Sequence, residues 1–262
     1  MPKIGGRKLL NIIQPRLSSE LYLGRDSFFD FLRNHGLLVR KKRYRPKTTL
    51  SNHWLRKYPN LIKDFVPTQA HQLWVSDITY IETEEGFGYL SLITDAYSRK
   101  IIGWALGDTL EAKHTVRALQ MALKQLPKGV KNVCHHSDRG VQYCCAEYIK
   151  ILKKNHFKIS MTENGDPLEN AIAERVNGIL KSEWLNQIKL NTIAKAKEQL
   201  NYIIKTYNYH RPHSSVNMLT PSTAHMLSGV LERKWKNYYE KNNNLVINID
   251  NFVEPNKMMV TL

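Results

Sequence analysis

Three segments rich in β-branched and aromatic residues, 73–82 (LWVSDITYIE), 89–94 (YLSLIT) and 101–106 (IIGWAL), follow one another with only short turns between them. Glu84-Glu85-Gly86 forms the first turn and residues 95–99 the second. Strands this close in sequence can pair only as an antiparallel meander. After residue 107 the pattern alternates between strand and helix. Asp108 with Glu111 reads as a capping box. Val116, Leu119, Leu123 and Leu126 line one helical face, which ends at Pro127-Lys128-Gly129. A short strand is expected over 132–136, a helix carrying Cys145, Tyr148, Ile149 and Leu152, and a strand over 157–161. The next helix has Asp166 as cap, Pro167 at its first position and Glu169 at its third. A last helix carries Leu200, Ile203, Ile204 and Tyr207 on one stripe. A meander followed by this alternation predicts an α/β fold, a mixed five-stranded sheet covered by helices on both faces. In such sheets, sites gather at strand ends.

Ahead of this core, residues 1–47 form a small helical module. A helix over 6–17 has Leu9, Leu10, Ile12 and Ile13 as its apolar positions. A second, capped by Asp26, carries Phe28, Phe31 and Leu32 and stops at Gly36. The basic run Arg40, Lys41, Lys42, Arg43 follows. The module fits a helix-turn-helix-like DNA-binding unit and equally an ordinary helical hairpin. Residues 48–70 read as a linker, 71–225 as the core and 226–262 as a tail with a possible strand over 245–249.

Lys and Arg number 39 against 23 Asp and Glu, a net charge of +16. That surplus points to a polyanionic partner, nucleic acid before others. Hydrophobic content of 42% and charged content of 24% exclude disorder as the main state. Three cysteines cannot build a disulfide framework. No stretch approaches the roughly 18 apolar residues of a membrane span, and none follows the basic start as a signal peptide would require. The expectation is a soluble, intracellular and cytoplasmic, strongly basic protein.

Three acids occupy informative places. Asp77 interrupts a run of strong strand formers, so it faces solvent or a metal. Asp138 lies just past the short strand in HSDRGVQY, where Gly140 allows a sharp turn. Glu174 lies two turns into the Asp166-capped helix. On a helical wheel Asn170, Glu174, Asn177 and Lys181 share one face, opposite Leu168, Ile172, Val176 and Ile179. That polar face fits a solvated surface as well as a site. Three carboxylates on two strands and a helix have the hard oxygens that two Mg²⁺ ions about 4 Å apart require for phosphodiester chemistry.

The blocks WVSDITY, HSDRGVQY, ENAIAERVNGILKSEW and YNYHRPHSSVNMLTP occur in that order, and thirty-five residues lie between Asp138 and Glu174. The series resembles the integrase-core transposases of bacterial insertion sequences, from about residue 72 to residue 221. The segment from GGRKLL to HGLLVRKK resembles the small helical domain that precedes this core. The resemblance implies an RNase H-like fold and two Mg²⁺ or Mn²⁺ ions held by Asp77, Asp138 and Glu174. It also implies metal-dependent 3′-end nicking and strand transfer of an insertion element. Water would be the nucleophile for nicking and a DNA 3′-hydroxyl for joining, with Tyr80 and Tyr143 as site walls. Lys181 matches the family's basic residue on the Glu174 helix, a contact to terminal DNA. A homo-oligomer on DNA is implied, and in many relatives the product of an upstream reading frame is a further partner. Many relatives have Asp where Glu169 stands; a helix cap is the role expected for Glu169.

Further DNA contacts are expected from Asn170 and Asn177 on the Glu174 face, Arg139 and Gln142 beside Asp138, and the run Arg40 to Arg43. Arg211 either meets phosphate or caps and packs the last core helix. Asp95 fits turn chemistry, and Cys134, His135, His136, Cys144 and Cys145 lack zinc-ligand spacing. Two other readings stay open, an RNase H-like nuclease without strand transfer and a non-catalytic DNA-binding protein.

Overall fold

The computed structural model describes residues 3–17, 23–39, 53–163, 167–232 and 234. The basic run 40–43, Asp166 and the possible strand at 245–249 lie outside them.

Strands β1 (Leu73–Thr83), β2 (Gly86–Asp95), β3 (Ile101–Gly107), β4 (Cys134–Ser137) and β5 (Lys158–Met161) form one mixed sheet in the order β3-β2-β1-β4-β5. β1–β2 and β2–β3 are antiparallel, while β1–β4 and β4–β5 are parallel. The meander is therefore followed by parallel strands reached through helices α3 (Ala112–Leu123) and α5 (Ala146–Lys154).

β1 is buried on both faces, as a central strand must be. Trp74 joins α3 and α5 in one apolar layer. Ile81 faces the opposite layer, built from α6 (Ala171–Glu183) and α7 (Ile193–Tyr209). Gly103 lets α3 approach β3, because a Cβ there would sit 2.2 Å from the Ala118 carbonyl oxygen.

The helix starts differ from the sequence expectations. α3 begins at Ala112 after Glu111, with no side-chain cap, so Asp108 and Glu111 make no capping box. Asp108 instead faces His114. α6 begins at Ala171 after a 3₁₀ turn over Pro167–Asn170. The Glu169 carboxylate accepts the Glu163 N–H (2.6 Å), tying the loop after β5 to the helix entry. In the N-terminal module α1 (Gly6–Ile13) gives way to a 3₁₀ turn at Gln14–Arg16, where Pro15 has no N–H to donate. α2 (Arg25–Asn34) is capped by Gly24, and Asp26 sits inside its first turn. Gly36 ends it at φ 67°, a left-handed C′ residue.

The part of the linker that is described is a strap held against β5. The Met161 N–H donates to the Pro59 carbonyl (3.2 Å) and the Leu61 N–H to Ser160 Oγ (2.9 Å). Asp95 is fully buried in the β2–β3 turn, accepting the Ser98 N–H (2.9 Å) and hydroxyl (2.8 Å) and the His71 N–H (2.7 Å). Burial opposes its charge, but bonds from His225, Ser98 and His71 outweigh burial and hold the carboxyl below its usual range. It is a structural turn residue.

Candidate active site

Register places the first two acids together. Ser76 on β1 is level with Ser137 on the parallel neighbour β4, so the residues that follow, Asp77 and Asp138, emerge side by side. β4 ends at Ser137, and the Gly140 N–H donates to Asp138 Oδ1 (3.0 Å), turning the chain back over the strand end. Gly140 has φ −62°, so the turn does not need a left-handed residue. Glycine relieves crowding there, because a Cβ would lie 3.0 Å from Asp138 Oδ1 and push on that carboxylate.

α6 crosses this strand end with its polar face turned inward. Asn170 Nδ2 donates to the Ser76 carbonyl (3.0 Å), and Asn177 Nδ2 donates to Asp77 Oδ2 (2.7 Å). Both amides are about 5% exposed, at 6% and 5%. They pin the helix to β1 and have no free surface to offer DNA, which corrects the expectation that they contact it. Glu174 lies between them on the same stripe and is exposed at the helix surface.

The three carboxylates feel one another. Asp77 is half-buried, and its pKa is pushed up to about 7. Burial is the main cause and the Asp138 charge the next. Bonds from Asn177 and the Ile78 N–H oppose the rise, and Glu174 adds to it. Among the described residues no group of three or more His, Cys, Asp or Glu side chains stands in a metal-ligating array. The site is a set of hard oxygen donors whose like charges raise the cost of ionising Asp77, a donor set that suits a hard divalent cation.

This has a consequence for stability. Asp77 holds its proton more tightly folded than unfolded, so metal-free stability falls as pH climbs from about 4 to about 7. Asp77→Asn removes that penalty, worth about 4 kcal/mol at most and a Tm gain of up to about 8–16 °C. Thermal melts in EDTA should show the gain in full at pH 8 and little of it at pH 4.5. An equal gain at both would assign it to packing.

The other expected contacts divide. Arg139 follows Asp138, and its carbonyl accepts a bond from His53 Nε2 (2.7 Å). Gln142 donates to the Leu110 carbonyl (2.9 Å). Lys181 lines a cavity of about 410 Å³ with Tyr80, Glu82 and Asn186. Tyr143 is buried at 2% exposed, with its pKa raised well above the usual value, by burial first. Arg211 is not at a surface: it is 0% exposed and grips Glu183 with two bonds of 2.7 Å. Of its two sequence readings, packing against the last helix is the one the structure shows. The contact to this strand end missed in the sequence is His53 on the strap, which bonds the neighbour of Asp138 and left no distinguishing pattern in the connector.

Two integrase core domain families match the chain, over residues 67–167 and 155–221. The "Insertion element IS600 uncharacterized 31 kDa protein" of Shigella sonnei is 37% identical over 215 residues, 79% of this chain and 78% of that protein. The chain belongs to the integrase-core transposases of bacterial insertion sequences. "Transposase InsF for insertion sequence IS3A" of Escherichia coli is 35% identical over 192 residues, 72% of this chain and 66% of that transposase, just under two thirds of its length. The integrase in the simian T-cell lymphotropic virus intasome has the same fold, with TM-score 0.52 and 15% identity over 89% of this chain and 79% of that one. As a family member this transposase is a polynucleotidyl transferase acting in insertion-element transposition, in a family whose integrase-type cores use divalent metals. Among the described residues no helix is long and apolar enough to cross a membrane.

Proposed function

We propose that the transposase nicks the 3′ ends of its element and transfers the freed 3′-hydroxyl to a second strand, with Asp77, Asp138 and Glu174 as metal ligands. The observation that carries this is the β1–β4 register, which brings Asp77 and Asp138 out side by side at one strand end, against the helix that bears Glu174. Two Mg²⁺ or Mn²⁺ ions would supply charge stabilisation to the attacking and leaving oxygens.

The chain's own residues prepare that site. Asn177 fixes the Asp77 carboxylate, the Gly140 N–H fixes that of Asp138, and Asn170 ties the start of α6, the helix that carries Glu174, to the Ser76 carbonyl. Preorganised ligands need no rearrangement when the phosphodiester arrives. In nicking, water attacks phosphorus and the 3′-oxygen leaves with the element end. In joining, that 3′-hydroxyl attacks a phosphodiester of the second strand and the target 3′-oxygen leaves. We assign Arg139, Lys181 and the run Arg40, Lys41, Lys42, Arg43 as phosphate contacts, which give affinity without sequence information. We assign the working form to a homo-oligomer on DNA at the nucleoid, joined where the element encodes one by an upstream-frame product.

Incubation with a pre-cut element-end duplex, a target plasmid and Mg²⁺ or Mn²⁺ tests this. The expected product is a covalent end–target joint that is absent in EDTA. Cleavage with no joint in either metal would leave a nuclease, and DNA binding with neither would leave a non-catalytic binding protein.

A further inference from the structure

The strap that runs beside the candidate site is firmly held, yet it displays a bare indole. His53 bonds the carbonyl of Arg139, the neighbour of Asp138. Leu55 and Tyr58 pack against the apolar layer under α5. Pro59, Asn60 and Leu61 bond to Met161, Glu163 and Ser160. Between these anchors Trp54 is 92% exposed, whereas Trp74 and Trp184 are 0% and 3% exposed. An indole left in water forgoes a few kcal/mol of burial. On a segment pinned on both sides, where Leu55 and Tyr58 are packed and Leu61, Phe65 and Val66 are exposed less than Trp54, that is a surface held for something flat.

The surroundings are cationic. Arg56, Lys57 and Arg139 lie on the strap or next to its anchor, and the Arg56 guanidinium rests over the Tyr58 ring (5.2 Å). Arg139 Nε is sealed from solvent with no acceptor among the described residues. An N–H so placed calls for an oxygen brought by a ligand. Of the nearby acids, Glu163 is neutralised by Lys63 (2.7 Å).

We propose that Trp54 is a stacking platform for an unpaired nucleobase of the DNA strand held at the carboxylate site, with the cations around it gripping that strand's phosphates. This rests on the function proposed above and adds a base-contacting residue to it. In an intact duplex the base faces are covered by their neighbours, so a single indole gains a face only at a frayed end or an extruded base. Trp54 therefore favours opened DNA over closed duplex.

The test uses the full chain in the Asp77→Asn background without divalent metal, so its result does not depend on whether the three acids catalyse. Fluorescence anisotropy compares a single-stranded oligonucleotide, a duplex with three unpaired terminal bases and the same duplex blunt. Trp54→Ala should weaken the first two about tenfold and the blunt duplex less than twofold, with an unchanged slope of affinity against salt, since no charge is lost. Trp54→Phe should recover most of the loss. Because Trp54 is 92% exposed, melting temperature should not move. Equal affinities for wild type and Trp54→Ala, or equal losses on opened and blunt DNA, would overturn the proposal. So would a change of oligomeric state with unchanged DNA affinity, which would make Trp54 a contact between copies of the chain.

Discussion

Asp77→Asn, Asp138→Asn and Glu174→Gln are each expected to abolish both nicking and joining, by at least about a thousandfold, while DNA affinity stays within about threefold of wild type. Each substitution keeps the shape of its side chain and removes one negative charge. The carboxylates differ in setting: Asp77 is half-buried and clamped by Asn177, Asp138 holds a turn, and Glu174 is exposed. If the three matter only as members of one cation site, their losses should be alike and non-additive, so that a double variant is no worse than a single one. Joining assays on single and double variants, beside binding to the same DNA, read this directly. Near-normal metal-dependent joining in any single variant removes that residue from the ligand set.

The second large effect is on stability. Arg211→Ala should lower it by about 3–5 kcal/mol, a Tm drop of about 10 °C, because it leaves the Glu183 carboxylate buried without its fork. Arg211 donates twice to Glu183 at 2.7 Å and once to the Pro212 carbonyl (3.2 Å), and lies over the Tyr207 ring. The pair joins the end of α6 to the segment after α7. It also reaches the N-terminal module, since Lys8 Nζ is 3.6 Å from Glu183. Burial first, then the Arg211 charge, brings Lys8 down to about 8. Arg211→Lys should recover little, since an ammonium cannot make the bidentate contact. Urea unfolding measures the loss. An unchanged midpoint with weakened DNA binding would restore Arg211 to the DNA surface.

The sheet was legible because its strands are short, apolar and separated by turns whose residues act locally. Asp77 stood out because a carboxylate amid strand formers costs energy that packing does not return. Two kinds of information were out of reach. A helical wheel gives the phase of Asn170, Asn177 and Glu174 but not which way the stripe faces. Only the crossing of α6 over β1 shows that the amides point in and the carboxylate lies at the rim. Partners distant in sequence were equally hidden. Arg211 in a basic chain looks like a phosphate contact until Glu183, twenty-eight positions earlier, is found beneath it. Local rules also failed where tertiary contacts competed. Asp108 and Glu111 fit a capping box, yet α3 starts with no side-chain cap and Asp108 faces His114. The linker looked like a connector because its anchors are scattered bonds and two packed side chains whose partners lie about eighty-five to a hundred positions away, which leave no period in the residues.

The central claim is that Asp77, Asp138 and Glu174 jointly hold divalent cations. Anomalous scattering from crystals of the transposase grown with Mn²⁺ and a pre-cut DNA end tests it most directly. The account predicts two manganese peaks about 4 Å apart, with ligands from all three carboxylates. Manganese bound elsewhere, or at this strand end without Glu174, would contradict it.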